Sequence, residues 1–232
     1  MKTLALIPSR GGSKGIPLKN IKKLGRHPLL IKTISVANKA KIFDRIIVST
    51  DNKQISQIAK KSGAEIPFLR PQKLSKDDTS IIDVVKHCLE FLSSRENYQP
   101  EIVMILQPTS PFRTTSMIKK AIKILESKNA TSVLSVAKVR THPYSSFWLG
   151  KKYLRPFKKN FTRYDQRQKY PSLFHPTGSI YVFWNNTIKK YNSIYGPRIF
   201  PLIVEDEILN LDIDVPFDLY LANLLLKSKV KI

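Results

Sequence analysis

Short apolar runs alternate with helical patterns along the first two-thirds of this chain, and that order leaves few folds open. Residues 3–8 (TLALIP), 45–50 (RIIVST), 101–106 (EIVMIL) and 132–136 read as buried strands. Between them, residues 28–41 repeat Leu29, Leu30, Ile34 and Ala37 at helical spacing. Residues 52–62 form a second helical pattern, closed by Gly63 at the position after the helix where a left-handed residue is favoured. Residues 79–93, beginning near the cap formers Asp77, Asp78 and Thr79, and residues 116–127 give two more helices. Residues 66–69 read as short and extended, and Pro71 blocks a helix there. Strand–helix repetition of this kind predicts an α/β sandwich with a mainly parallel sheet. In such folds ligands bind beyond the carboxyl ends of the strands.

Residues 140–176 break the pattern. They are rich in aromatic and basic residues, carry Pro143, Pro156, Pro171 and Pro176, and read as an inserted arm or lid. Regularity returns with a strand at 178–184 (GSIYVFW) and a helix over 216–227, with Pro216 in its first turn. The 232 residues fit a single domain, 1–232, carrying that insertion. Cys88 is the only cysteine, which excludes an internal disulfide and a cysteine-based zinc cluster; its apolar neighbours at helical spacing assign it to the core. No run approaches the roughly 18 apolar residues of a membrane span. Met1-Lys2 leads straight into a strand-like run without signal-peptide features, so the cytoplasm is the expected compartment.

The formal charge is +23, but its distribution argues against a nucleic-acid module. Of the 40 basic residues 29 are Lys and 11 are Arg, and the lysines are scattered rather than gathered in an arginine-rich stripe. The acidic residues do the opposite. Glu205, Asp206, Glu207, Asp212, Asp214 and Asp218 hold six of the 17 acids in one short stretch, which points to a cation site in so basic a chain. Asp212 and Asp214 are two apart on an extended segment, so both carboxylates face one side. Magnesium takes one or two carboxylates together with substrate phosphates and water, and is the expected ion. Asp218 falls in the first turn of the last helix, where a carboxylate suits the helix dipole, a structural role.

The first strand runs into Pro8-Ser9-Arg10-Gly11-Gly12-Ser13-Lys14-Gly15, continuing to Lys19-Asn20. Three of the eight glycines fall between Gly11 and Gly15, where backbone N–H groups can approach phosphate oxygens, and Arg10, Lys14 and Lys19 add positive charge. Neither the Walker pattern nor G-x-G-x-x-G is present.

These residues resemble the signature of the acylneuraminate cytidylyltransferase family, the CMP-sialic acid synthetases with their legionaminic and pseudaminic acid relatives. Four further blocks follow in family order. They are Val48–Asp51; Leu69-Arg70-Pro71 with Leu74 and Asp77/Asp78; Leu106-Gln107-Pro108-Thr109-Ser110-Pro111 with Arg113; and Arg167-Gln168 leading to Gly178–Tyr181, closed by Leu211–Asp214. The resemblance implies a three-layer, nucleotidyltransferase-type (Rossmann-like) sandwich in which residues 140–176 form a dimerisation arm of a homodimer. It implies CMP transfer from CTP to the anomeric hydroxyl of a nine-carbon 2-keto-3-deoxy sugar acid. Arg10, Ser13 and Lys19, helped by the backbone of Gly11, Gly12, Lys14 and Gly15, would hold the triphosphate. Asn20, Arg70, Asp78 and Ser80 would lie on the nucleoside side. Gln107, Arg167, Gln168, His175 and Gly178 would face the sugar, and Arg10, Lys19, Asp212 and Asp214 would carry the chemistry with magnesium. The chain departs from the family at Gln166, Phe174, His175 and Thr177, which leaves the sugar open. Kdo cytidylyltransferase or another sugar nucleotidyltransferase is the rival within enzymes, and a basic nucleic-acid-binding module the rival outside them.

Overall fold

A computed structural model describes residues 1–157, 168 and 170–228. Ten strands and six helices are assigned among them. The strands are β1 (Thr3–Pro8), β2 (Lys23–Leu24), β3 (His27–Pro28), β4 (Arg45–Ser49), β5 (Ile102–Ile105), β6 (Ser132–Lys138), β7 (Phe147–Leu149), β8 (Leu154–Pro156), β9 (Phe174–Trp184) and β10 (Ile199–Ile203). The helices are α1 (Leu29–Ala40), α2 (Lys53–Lys61), α3 (Ile81–Glu96), α4 (Thr115–Ser127), α5 (Asn185–Tyr191) and α6 (Pro216–Lys227).

Six strands form the central sheet in the order β10-β6-β9-β5-β1-β4. Five run in one direction and β9 alone runs against them, pairing antiparallel with β5 and β6. The expected mainly parallel sheet is therefore present. Alternation along β1 divides the two faces: Ala5 and Ile7 pack with α1, α2 and α4, whereas Leu4 and Leu6 pack with α3 and α5. Helices thus cover both faces, as the parallel strands require. Local caps sit where the sequence supplies them. Asn52 accepts from the N–H groups of Gln54 and Ile55, and Gly63 turns α2 off at φ +83°.

Three features differ from the sequence expectation. Strand β10 was not foreseen because Pro201 lies in its middle; it is an edge strand, paired only with β6, where a missing N–H is tolerated. Strand β9 starts at Phe174 rather than 178, so residues 174–176 belong to the sheet, with His175 beside Ala137. Helix α3 is capped by Ser80, whose hydroxyl accepts from Asp83 N–H, which leaves Asp77 and Asp78 outside the helix. In the remainder of the arm, β7 and β8 pair as a hairpin. Residues 66–69 form no strand, and α5 adds a helix over residues not assigned from sequence.

A third, smaller core joins distant segments. Ile16 and Leu24 from the Gly-rich loop and the β2–β3 turn pack with Leu29, Phe112, Ile213 and Ala222. Asp218 Oδ2 accepts from the N–H groups of Asp214 and Val215, a cap in addition to the dipole-favoured placement expected of it, and fixes the turn entering α6. No helix among the described residues is long and apolar enough to cross a membrane.

Cys88 is fully buried on α3, and burial pushes its thiol up to about 12. A thiol both inaccessible and protonated does not react. The native protein is expected to give no colour with Ellman's reagent over an hour at pH 8 and one thiol per chain after denaturation; rapid native labelling would place Cys88 outside the core.

Candidate functional site

The carboxyl ends of β1, β4 and β5 open onto a cleft of about 440 Å³ lined by Arg10, Ser13, Lys19, Gln107, Asp212 and Asp214, among others. Its floor is the loop after β1. That loop is held from three sides. Gly11 N–H donates to Asp51 Oδ1 at 2.8 Å, and Asn20 Nδ2 donates to the Arg10 carbonyl at 3.0 Å, closing the loop on itself. Gly15 presses against the third wall: a Cβ there would lie 2.3 Å from the Asp214 carbonyl oxygen, so only glycine lets the two segments touch.

Each cation of the loop has an acidic partner. Lys19 Nζ lies 2.8 Å from Asp214 Oδ1. Arg10 Nη1 and Lys14 Nζ both reach Asp77, at 2.7 and 2.9 Å, and these two hydrogen bonds hold the Asp77 carboxyl below the usual carboxylate range. The cradle is thus ordered by ion pairs that an incoming polyanion can exchange for its own charges.

Asp212 forms the opposite wall. Burial pushes its carboxyl above the usual range, with the charge of Asp214 adding to the effect, against a hydrogen bond from Thr109 and the charge of Lys19. Its Oδ1 is buried and accepts no hydrogen bond. An orphaned carboxylate oxygen beside a second carboxylate fits a divalent cation. Among the described residues no cluster of three or more His, Cys, Asp or Glu side chains is arranged to hold a metal, so an ion here needs phosphate oxygens and water to fill its shell. Of the six acids in the terminal stretch, only Asp212 and Asp214 line this cleft; Glu207 pairs with Arg140 and Asp206 accepts from Ile208 N–H.

Behind Asp212 the sheet is bent to fit. A bulge between Leu134 and Val136 turns β6 against β9, and Ser135 Oγ fills it by accepting from Ile180 N–H and from Thr177 Oγ1, both at 2.8 Å. The bend places Gly178 at φ +74°, where a Cβ would sit 2.9 Å from Gln107 Oε1 and 3.3 Å from Asp212 Oδ2. Gln107, Gly178 and Asp212 therefore converge. On the far side of Asp212 lies a second cleft of about 620 Å³, lined by Lys138, Arg140, Phe174, His175 and Glu205 among others. Asp212 is the shared wall of both clefts. His175 Nδ1 is 3.1 Å from the Pro176 carbonyl.

Several residues take other places than sequence assigned. Arg70 lines the first cleft but is buried, with Nε donating to Ser49 Oγ at 3.1 Å and its Nη groups directed to the Ser49 and Leu74 carbonyls. Burial lowers its guanidinium to about 10. Three of its five N–H groups thus go to the chain itself, while the side chain still lines the cleft. Asp78 does not line the cleft, and the Ser80 hydroxyl serves as a helix cap. Gln168 is exposed and lines neither cleft. Arg167 lies outside the described residues. Asp51, Asp77 and Thr109 fall within the blocks that carry the resemblance, and Asp77 among the cap formers, but none is given a site role from sequence, because nothing local marks a carboxylate or hydroxyl whose partner is distant in the chain.

Arg113 was also missed as a working residue. It is fully buried, donating from Nε to the Ser179 carbonyl at 2.6 Å and from Nη2 to the Gln107 carbonyl at 2.8 Å. Burial pulls its guanidinium down to about 9, with the charge of Asp212 acting the other way. One cation thus ties the Gln107 turn to the bend of β9. Arg113→Met strips both carbonyls of their donor and is expected to lower stability by about 2–4 kcal/mol. A urea midpoint equal to wild type would show that the two carbonyls find other donors.

The family model described as Cytidylyltransferase matches residues 4–208. The chain is 32% identical to CMP-N,N'-diacetyllegionaminic acid synthase of Legionella pneumophila over 227 residues, covering 98% of this chain and 97% of that protein. It is 30% identical to post-translational flagellin modification protein B of Campylobacter coli, covering 97% and 95%. It is 31% identical to N-acylneuraminate cytidylyltransferase of Escherichia coli, covering 95% of this chain and 51% of that longer protein. Among solved structures, CMP:2-keto-3-deoxy-manno-octonic acid synthetase complexed with CTP superposes with a TM-score of 0.70 at 14% identity, covering 99% and 100%. The 4-diphosphocytidyl-2C-methyl-D-erythritol synthase of Anaerococcus prevotii gives 0.67 at 17%, covering 97% and 98%. At those identities the two structures establish the shared fold.

Proposed function

The chain belongs to the cytidylyltransferase family, and from that premise we propose that it transfers CMP from CTP to the anomeric hydroxyl of a nine-carbon 2-keto-3-deoxy sugar acid, releasing pyrophosphate. The observation that carries this reading is the convergence, in one cleft, of the cationic loop with Asp212, Asp214 and Gln107. A phosphate cradle and a carboxylate pair on opposite walls suit a triphosphate held between them. The related legionaminic and sialic acid enzymes support the acceptor class.

In this reading Arg10, Ser13, Lys14 and Lys19, with the backbone of Gly11, Gly12 and Gly15, hold the β- and γ-phosphates, and Asn20 keeps the loop closed. Asp212 and Asp214 would hold a magnesium ion, which would supply positive charge against the phosphate oxygens. The sugar acid enters by the second cleft, past His175, and meets Gln107 across Asp212, at the edge of the first cleft. The anomeric hydroxyl then attacks the α-phosphorus in line, its proton passing to water as the bond from the α-phosphorus to the bridging oxygen breaks, and the leaving pyrophosphate stays with Arg10 and Lys19. Positioning and charge stabilisation supply most of the acceleration. The use of CTP makes the cytoplasm the proposed compartment.

The decisive assay measures pyrophosphate release with CTP, UTP, ATP and GTP against a panel of eight- and nine-carbon sugar acids. CTP-dependent turnover with a nine-carbon acid is expected, and none with any acid would overturn the proposal. Asp212→Asn should cut that turnover by about 100-fold or more and abolish its response to magnesium.

We also propose that the chain acts as one cytidylyltransferase domain and pairs with a second copy through its arm. The β7–β8 hairpin supports this by presenting Trp148 (62% exposed), Leu149 (84%), Tyr153 and Leu154 to solvent, an apolar patch costly to leave uncovered. Light scattering should give about twice the 26.6 kDa chain mass, and Trp148→Asp with Leu149→Asp should give the monomer. A wild-type monomer at 50 μM would remove the dimer.

A further inference from the structure

Asp77 stands in the way of the phosphates. It lies on the connection between the turn Gln72–Leu74 and α3, and lines the same cleft as Arg10 and Lys19. One oxygen is 2.7 Å from Arg10 Nη1 and the other 2.9 Å from Lys14 Nζ. The two cations thus grip the two oxygens of one carboxylate, in the way they would grip two oxygens of a phosphate group. Neither Arg10 nor Lys14 makes any other ion pair among the described residues. Asp77 itself remains partly exposed and serves no helix cap, because Ser80 caps α3.

We propose that Asp77 is a tethered competitor for the phosphate site, displaced when the triphosphate binds and returning to Arg10 and Lys14 to drive pyrophosphate out. The inference rests on the loop being the phosphate cradle, as in the reading above. A tethered carboxylate competes at an effective concentration that free anions in solution seldom match. A nucleoside triphosphate overcomes it by adding further charges, backbone N–H contacts and the cation at Asp212. Pyrophosphate left after transfer has lost its link to the nucleoside and therefore part of that advantage. Asp77 lowers the affinity for both by the same factor, which leaves the better-anchored triphosphate bound while bringing the less anchored pyrophosphate into a range where it leaves. Because it acts by exchanging partners with Arg10 and Lys14, it needs no movement of the sheet or of α3.

The test is calorimetric titration of the full chain with inorganic pyrophosphate alone at 0.15 M salt, beside product-inhibition kinetics. Asp77→Asn keeps the shape of the side chain and removes its charge. It is expected to tighten pyrophosphate binding by about 5–30-fold, the sum of two exposed ion pairs, and to deepen pyrophosphate inhibition to match. Glu126→Gln makes the same change in net charge on α4 and should leave the affinity as it was. An Asp77→Asn protein that binds pyrophosphate equally or more weakly, or a Glu126→Gln protein that gains as much, overturns the competitor role. Arg10→Ala separates that failure from a failure of the cradle itself. If it weakens pyrophosphate binding, the cradle stands whatever Asp77 does; if it changes nothing, the cradle and the competitor fall together.

Discussion

The site depends on one close approach, that of Gly15 to the backbone of Asp214. The Gly-rich loop and the Asp-x-Asp segment come from opposite ends of the chain, and neither is a site alone. The loop is a basic turn; the aspartates are two carboxylates without phosphates to share an ion. The small core of Ile16, Leu24, Leu29, Phe112, Ile213 and Ala222 supplies the apolar burial that brings them together. Asp218 then sets the backbone at Asp214 from below. A side chain larger than hydrogen at position 15 would part the two walls of the cleft.

The second organising element is the single antiparallel strand. Five parallel strands deliver their loops to the same end of the sheet, but β9 enters at that end and passes down between β5 and β6. Its entry brings Gly178 against Gln107 and Asp212, and the bulge opposite Ser135 gives the bend. Arg113 makes this arrangement durable by bonding to both Gln107 and Ser179. A buried guanidinium is costly without partners, which is why it pins these two carbonyls so firmly. The surface around Gln107, Gly178 and Asp212 is thus assembled from a loop, a bent strand and an internal cation.

What was legible from sequence follows the range over which each signal acts. Strands β1, β4 and β5 announce themselves by unbroken apolar runs, and α1, α2 and α4 by helical spacing, because burial on both faces of a parallel sheet leaves little freedom of composition. The Gly-rich loop and the Asp212/Asp214 pair were visible as local patterns, and the resemblance joined them. Strand β10 was hidden by Pro201, which reads as a breaker unless one knows that the strand lies at an edge. The Asp77 pairs with Arg10 and Lys14, and the anchoring of Gly11 by Asp51, depend on the fold bringing remote residues together. Arg70 reads as a contact residue and does line the cleft, while its bonds to Ser49 and Leu74 depend on the fold. Charge type can be read from sequence, whereas the number of donors left free cannot.

The excess of positive charge ends at the cleft. Across the chain bases outnumber acids 40 to 17, yet Arg10, Lys14 and Lys19 meet Asp77 and Asp214, and Arg113 lies within the field of Asp212. A loop of unpaired cations would repel itself and lose its shape, and would hold any polyanion too well to turn over. Pairing each cation with a carboxylate keeps the cradle ordered before the ligand arrives. It also makes binding an exchange of partners, so that the net gain is smaller than the sum of new contacts. The scattered lysines can still draw anions toward the protein over the Debye length, about 8 Å at physiological salt. Attraction is therefore a property of the whole surface, while the few carboxylates that the fold places among the cations set the charge that a ligand meets at the cleft.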